Sequence, residues 1–187
     1  MTTRGLIRVY DKRAKGERYK LVANVYVHGD MYPDNGIMCG LSEYLRDKTL
    51  VNGYNPDKMF MQVNGMDDLA AQIITYLKSD YTEIMKKFDH SDGNAPTPII
   101  AAGYVYMLPV SVKPQNTDAE YVYEIYPPKD IVVLYTNERF WMASPPEIPL
   151  TELRIKVYSY EWWERGSEPQ LIFAGKLGKF IKKYCIA

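Results

Sequence analysis

Two histidine–aspartate pairs are the residues of this sequence whose types and spacing best suit catalysis. His28 and Asp30 are separated by one glycine. The same spacing recurs at His90 and Asp92. In extended backbone, residues two positions apart share a face, so the imidazole could act as a general base that the carboxylate orients. Because imidazoles and carboxylates also bind divalent metals, the two pairs together suggest a metal-assisted hydrolase of a nucleotide or nucleic acid.

The same residues have a structural interpretation, which we favour. His28, Asp30, Tyr32 and Pro33 lie in a segment rich in turn-forming residues, between an apolar stretch and a region of helical spacing. The residues around His90 are likewise Asp, Ser, Gly and Asn, which are common in turns. We therefore predict a structural turn at the first pair, and we assign no catalytic residue, no cofactor and no metal site.

Established catalytic motifs are absent from the sequence. It contains no phosphate-binding glycine loop, no Gly-x-Gly-x-x-Gly, no His-Glu-x-x-His and no Cys-x-x-Cys. Its two cysteines, Cys39 and Cys185, are too few for a disulfide framework, and we expect Cys39 to be a small buried apolar residue. No signal-like start and no apolar run of about 20 residues is present, so we expect a cytoplasmic protein without a membrane span.

Aromatic residues are unusually frequent, with 17 tyrosines and 3 tryptophans in the chain. Many of them lie in strand-like segments of the second half. Tyr and Trp provide large contact areas at a small cost in side-chain entropy, which favours interfaces. The neighbouring acidic residues oppose stacking on nucleic-acid bases, so we expect a protein partner. The predicted partner-binding residues are Glu120, Tyr121, Tyr123, Glu124, Tyr158, Tyr160, Trp162 and Trp163.

Charge is balanced over the whole chain but unevenly distributed along it. Lys and Arg total 23, as do Asp and Glu, which argues against a protein that coats duplex DNA. Residues 1–20 carry seven basic and two acidic side chains, and the segment from Lys176 onward carries four lysines and no acid. We therefore expect basic ends and an acidic body, with an acidic, aromatic sheet region as the contact surface.

Hydrophobic spacing predicts two helices within a set of strands. Amphipathic helices are expected at about 36–47 and 66–88. The first two strands should form a hairpin with a basic tip, and the tight connection at 127–130 should join a second hairpin. The predicted strands are 5–10, 20–27, 104–112, 120–126, 131–135, 153–160 and 171–173.

Composition and element order together define the expected fold. Apolar residues make up 47% and charged residues 25% of the chain, which are values of globular proteins. The length fits a single domain over residues 1–187. We predict an α+β fold, in which the two helices pack on one face of a mainly antiparallel β-sheet.

Several segments resemble a group of small uncharacterised proteins of phages, archaeal viruses and their hosts. The resemblance lies in the strand 4–10, in the segment 25–33 with its His-x-Asp-x-Tyr-Pro pattern, and in Asp-x-Glu-Tyr-x-Tyr-x-Ile at 118–125. Met31 stands where this family usually has Gly. The resemblance implies a viral context and a common sheet core for the turn and the later strand, and it implies no catalytic residues.

These observations lead to one expected function. We expect a virus-encoded accessory protein that acts in the cytoplasm of the infected cell by binding a host protein or complex. A defence component such as a CRISPR effector is the candidate target, which would make the protein an anti-CRISPR inhibitor. A second copy of the chain is another candidate partner, and nucleic acid is not expected to be one.

Overall fold

The computed structural model describes residues 3–53, 55–88, 105–136, 146–160 and 168–185, and its strands form two sheets. The larger has six strands in the order β5-β2-β1-β6-β8-β9, and the smaller has three in the order β4-β3-β7. The six are β1 (Gly5–Asp11), β2 (Lys20–Val27), β5 (Val105–Met107), β6 (Tyr121–Tyr126), β8 (Arg154–Ser159) and β9 (Gln170–Lys176). The three are β3 (Thr49–Val51), β4 (Gln62–Asn64) and β7 (Ile148–Pro149).

The described residues also form α1 (Ile37–Arg46), α2 (Gly65–Phe88), α3 (Ile131–Thr136) and α4 (Leu177–Tyr184). The first two match the predicted helices, and the α+β class is confirmed. Each pairing in the six-stranded sheet is antiparallel except that of β1 with β6, which is parallel. The predicted hairpin of β1 and β2 is present. The parallel contact brings β6 next to β1, near the centre of the sheet.

The predicted strand at 131–135 is wrong, and so is its hairpin with 120–126. Residues 131–136 form α3, and β6 pairs instead with β1 and β8. The β-branched run Ile-Val-Val suggested a strand. In the structure, Ile131 and Leu134 are three positions apart and both are buried, which is the spacing of one helix face. Tertiary burial has therefore overridden the local β-propensity.

Helix α4 was not expected from the sequence. Its buried residues are Leu177, Phe180 and Ile181, at helical spacing, and basic residues occupy its last turn. The ring of Phe180 lies edge-on to Tyr123 of β6, with 6.2 Å between the ring centroids. The C-terminal segment therefore forms a helix that packs on the same side of the sheet as α1 and α2.

The main core lies between the helices and one face of the six-stranded sheet. Ile7, Val25 and Tyr123 contribute from the strands, while Leu41 and Leu69 contribute from α1 and α2. The opposite face carries a smaller cluster around Leu6 and other buried side chains. Each member of this second cluster belongs to a strand or to the residues beside one. Helices therefore cover one face of the sheet, whereas strand residues and their neighbours form the cluster on the other face.

Within the described ranges, no helix is long and apolar enough to cross a membrane.

A disulfide joins α1 to the end of α4. Cys39 and Cys185 are bonded to each other, with their Cα atoms 5.1 Å apart. The expectation of an unpaired Cys39 is therefore wrong, although its burial beside Ile37 and Leu41 is confirmed. Spacing alone could not indicate the bond, because the two residues are 146 positions apart.

We predict that removing this bond destabilises the fold without changing its architecture. Closing so long a loop restricts the unfolded chain, so loss of the bond should lower the free energy of unfolding by about 2–5 kcal/mol. Urea unfolding of the wild type with and without reductant measures the effect, and the Cys39→Ala/Cys185→Ala variant should match the reduced protein. Identical midpoints in oxidised and reduced samples would contradict the prediction.

Candidate binding face of the sheet

Side chains alternate between the two faces of the six-stranded sheet, and one face is rich in tyrosine. Ile7, Val9, Tyr123 and Ile125 point into the main core. Their neighbours in the chain point the other way. We call this second side the tyrosine face and define it by Arg8, Tyr10, Tyr26, Tyr106, Glu124, Tyr126, Arg154, Lys156 and Tyr158.

Glu124 stands at the centre of the tyrosine face, between two cations. It lies opposite Arg8 across the parallel β1–β6 pairing and opposite Lys156 across the β6–β8 pairing. Arg8 Nη1 is 3.3 Å from Glu124 Oε1, and these two side chains are only 16% and 14% exposed. A carboxylate withdrawn so far from water needs compensation, which the guanidinium supplies.

Two tyrosine hydroxyls complete the coordination of this carboxylate. Tyr10 donates to Glu124 Oε1 at 2.9 Å, and Tyr126 donates to Glu124 Oε2 at 2.7 Å. The two rings stack with their centroids 4.6 Å apart and their planes 9° from parallel. Both oxygens of Glu124 are therefore used, and both rings are fixed in place.

The surroundings of these two phenols resist their ionisation. Burial is the largest cause that raises the pKa of Tyr10, and the negative charge of Glu124 adds to it. The pKa of Tyr126 is raised by burial first and then by its hydrogen bond to Glu124. Both hydroxyls are therefore neutral donors at physiological pH.

Cations surround the stacked rings. Arg154 Cζ lies 5.8 Å from the centroid of Tyr126 and 5.2 Å from that of Tyr19. The Arg154 guanidinium also donates to the Tyr19 hydroxyl and, through Nε, to the Pro127 carbonyl at 3.0 Å. Lys156 Nζ lies 5.5 Å from the Tyr126 centroid. Such contacts hold cationic groups against the aromatic surface.

The other half of the face is built around Tyr26. Its ring stacks on Tyr106 at 4.8 Å between centroids, and its hydroxyl donates to Asp118 Oδ1 at 2.6 Å. Arg4 forms an ion pair with the other oxygen of Asp118. Tyr26 is only 4% exposed, whereas Tyr106 is 43% exposed. Tyr106 therefore presents an aromatic side chain to solvent at this end.

The structure divides the predicted partner-binding residues between the two faces. Glu124 and Tyr158 lie on the tyrosine face, and Tyr160 packs against the same small cluster. The prediction for Tyr123 is wrong, because this residue is fully buried in the main core and its hydroxyl donates to the Met31 carbonyl at 2.8 Å.

Two further predicted partner-binding residues, Tyr121 and Glu120, are not part of the tyrosine face. Tyr121 is half-buried against the main core, near Tyr32 at 6.4 Å between centroids. Glu120 accepts from the Arg4 backbone N–H at 3.3 Å. Trp162 and Trp163 lie outside the described residues.

Among the described residues, the acidic side chains of this surface are offset by basic ones, while Glu161 and Glu164 lie outside the described part of the chain. Glu124 is paired with Arg8, and Asp118 is paired with Arg4. Arg154 and Lys156 then add positive charge beside the stacked rings. The acidic residues are neighbours of the tyrosines in the sequence, but the basic residues that pair with them come from adjacent strands. The sequence prediction therefore did not include these basic residues. The signal that could have identified the face is the alternation Leu6-x-Arg8-x-Tyr10 on β1.

The turn at 28–33 is tied to the sheet through its backbone. The Met31 N–H donates to the Thr3 carbonyl at 3.2 Å, and the Met31 carbonyl accepts from Tyr123. The Met31 side chain is fully buried. The Asp30 carbonyl accepts from the Ile37 N–H at 2.8 Å, where α1 begins. These bonds support the structural interpretation of His28, Asp30, Tyr32 and Pro33.

The alternative catalytic set is only partly within the described residues. His28 is half-buried, with its ring 6.2 Å from that of Tyr26, and Asp30 is exposed. His90 and Asp92 lie outside the described part of the chain. Among the residues that the structure describes, no group of three His, Cys, Asp or Glu side chains is arranged to hold a metal ion.

Comparison with protein-family models, with curated proteins and with solved structures gave no match. The resemblance to small viral proteins therefore stays a prediction.

We predict that Tyr123 stabilises the fold through both its ring and its hydroxyl. Tyr123→Ala should lower the free energy of unfolding by about 3–5 kcal/mol, because it leaves a cavity in the core. Tyr123→Phe should lower it by about 1 kcal/mol, because only the bond to Met31 is lost. Denaturant unfolding measures both changes. Near-wild-type stability of the Ala variant would show that this side chain is not a core residue.

We predict an alkaline transition set by the buried phenols. The unfolded chain loses tyrosine protons near pH 10. Tyr10 and Tyr126 keep theirs in the folded state, so the free energy of unfolding should fall as pH rises above about 10. Glu124→Gln should lower the pKa of both phenols, because it removes the negative charge beside them.

Tyrosinate absorbance followed through an alkaline titration measures this effect. Glu43→Gln, on the exposed side of α1, is the matched control for loss of one carboxylate. A titration that is the same in the Glu124→Gln variant and in the wild type would refute the proposed coupling.

Proposed function

We propose that this protein acts by binding a partner protein through the tyrosine face. The observation that carries the proposal is the fixed arrangement of Arg8, Tyr10 and Tyr126 around Glu124. Tyrosine and arginine are the residue types that most often dominate binding energy at protein interfaces. Here they are concentrated on the side of the sheet opposite the main core.

The mutual contacts of these side chains favour tight recognition. Ordering a long side chain at an interface costs about 0.5–1.5 kcal/mol. The stacked rings and the shared carboxylate have already fixed Tyr10 and Tyr126. A partner that docks here therefore meets a pre-organised surface, on which less conformational freedom remains to be lost.

Several features favour a protein over nucleic acid. Stacking on a base requires an accessible ring face, and four of the rings are stacked in pairs, Tyr10 on Tyr126 and Tyr26 on Tyr106. Phosphates would also have to compete with Glu124 for Arg8. A protein surface can instead use ring edges, hydroxyls and the exposed Tyr106 together.

The identity of the partner is a narrower proposal that rests on the sequence resemblance alone. It points to a virus-encoded accessory protein and to a host protein or complex as the target. Inhibition of a defence component such as a CRISPR effector, in the cytoplasm of the infected cell, is the specific form that we propose.

We predict that Tyr106→Ala/Tyr158→Ala weakens partner binding by at least about tenfold. Loss of interface aromatics commonly costs 2 kcal/mol or more, so a drop of this size is about the minimum expected. Co-purification from a lysate of the native cellular source, followed by titration with the purified partner, measures the change. The exposed Tyr44 of α1 provides the matched control, Tyr44→Ala, because it removes a tyrosine from a helix on the opposite side of the sheet.

Folding and self-association are separated from binding by two further measurements. Thermal unfolding checks that each variant is folded, and Tyr106→Ala alone is used where the double variant is not. Light scattering with size-exclusion chromatography shows whether the partner is a second copy of the chain. Equal recovery of the same proteins by the wild type, by both test variants and by Tyr44→Ala would sink the proposal.

A further inference from the structure

A pocket of about 530 Å³ lies where β6 and β9 end and β8 begins. Its wall includes the turn after β6, the start of β8 and the first turn of α4. This volume is within the range of about 300–1,000 Å³ that is typical of small-molecule sites. The pocket borders the tyrosine face at Tyr126, Arg154 and Lys156 but extends beyond it.

The pocket has a surplus of three positive charges. Its basic residues come from four elements of the chain and are Lys129, Arg154, Lys156, Lys176 and Lys179. Only two acidic residues, Asp130 and Glu152, line it. Glu152 forms an ion pair with Lys176.

Three of the lysines are available to a ligand. Within the ranges that the structure describes, no carboxylate forms an ion pair with Lys129, Lys156 or Lys179. Their ammonium groups are strong, orientable donors, and lysine is a common phosphate ligand. Bringing such groups to one cavity without acidic partners creates a positive potential, which an anion would neutralise.

The rest of the wall is apolar. Ile148 lines the pocket together with the half-buried ring of Tyr126 and the exposed side chain of Ala174, whereas the side chain of the lining residue Ile155 is only 1% exposed and packs in the main core. An inorganic anion would leave this part of the cavity unused. A ligand that combines negatively charged groups with a flat apolar part would match both the basic and the apolar parts of the pocket wall.

We propose that this pocket binds a nucleotide that carries two or more phosphates. The phosphates are held by Lys129, Lys156 and Lys179, and the nucleoside lies against Ile148, Ala174 and Tyr126. This site goes beyond the partner-binding proposal, because its ligand is a small molecule and because Lys129 and Lys179 lie outside the tyrosine face, although Tyr126 and Lys156 are shared with it. Because the pocket adjoins the tyrosine face, a bound nucleotide would add negative charge at the edge of the partner surface.

Calorimetric titration with ATP tests the proposal, with adenosine and inorganic triphosphate as part-ligands. We expect one ATP per chain, weaker binding of triphosphate and no measurable binding of adenosine. Lys129→Ala/Lys179→Ala should weaken ATP binding by at least about tenfold, because two charge-assisted contacts are lost. Both lysines are exposed, and neither belongs to the tyrosine face. Loss of nucleotide binding therefore leaves the partner-binding test unaffected.

Lys182→Ala is the matched control, since Lys182 is an exposed lysine of α4 that does not line the pocket. Its affinity for ATP should equal that of the wild type. Equal weakening of ATP binding by Lys182→Ala would show that ATP is attracted to the charged surface in general, and this would overturn the proposal. Absence of ATP, GTP, CTP and UTP binding at millimolar concentration would also overturn it.

If inorganic triphosphate binds with the same affinity as ATP, the proposed contact between the pocket and the nucleoside is wrong. Much tighter binding of an oligonucleotide or a polyglutamate peptide that displaces ATP would assign the pocket to that ligand instead.

Discussion

A half-buried carboxylate on the strand beside β1 organises one side of this molecule. Water reaches the carboxylate of Glu124 poorly, so other groups of the protein must compensate its oxygens. The parallel pairing of β1 with β6 brings Arg8 opposite Glu124. The hydroxyls of Tyr10 and Tyr126 donate further hydrogen bonds to the two carboxylate oxygens. This arrangement holds the two stacked rings in place, and with them the aromatic surface that Arg154 contacts. The surface that we propose for partner binding is therefore a consequence of how this half-buried charge is accommodated.

The same strand also fixes the opposite side of the sheet. The residue before Glu124 points into the main core, where the Tyr123 hydroxyl must find an acceptor. It finds the Met31 carbonyl, in the turn that precedes α1. The turn is thus held by β6 as well as by the backbone of Thr3, and its side chains need no catalytic role to account for their spacing. One strand in this way couples the helix-covered core to the tyrosine face.

The features that sequence could predict are those that depend on local periodicity. Helices α1 and α2 and the β1–β2 hairpin followed from it, and α4 could have been found from Leu177, Phe180 and Ile181. A period of two correctly indicates that Tyr121 and Tyr123 share a face, but it cannot indicate which face the helices cover. That depends on long-range packing, as does the parallel β1–β6 contact that pairs Glu124 with Arg8. For the same reason, the β-branched run at 131–135 could be recognised as a helix only from the burial of Ile131 and Leu134.

The two basic ends of the chain show most clearly why charge must be counted in space. In the β1–β2 loop, Arg13 is paired with both Asp11 and Asp67, at 2.9 and 2.6 Å, so acidic groups at the end of β1 and in α2 neutralise its charge. The C-terminal lysines meet a different environment, in which Lys179 lines a cavity with Lys129 and Lys156 and only two acids. The pocket at the hairpin tip is lined by four basic and three acidic residues, whereas the pocket that contains Lys179 is lined by five basic and two acidic residues. The larger surplus of positive charge therefore favours our proposed anion site, where β6 and β9 end and β8 begins, over the hairpin tip.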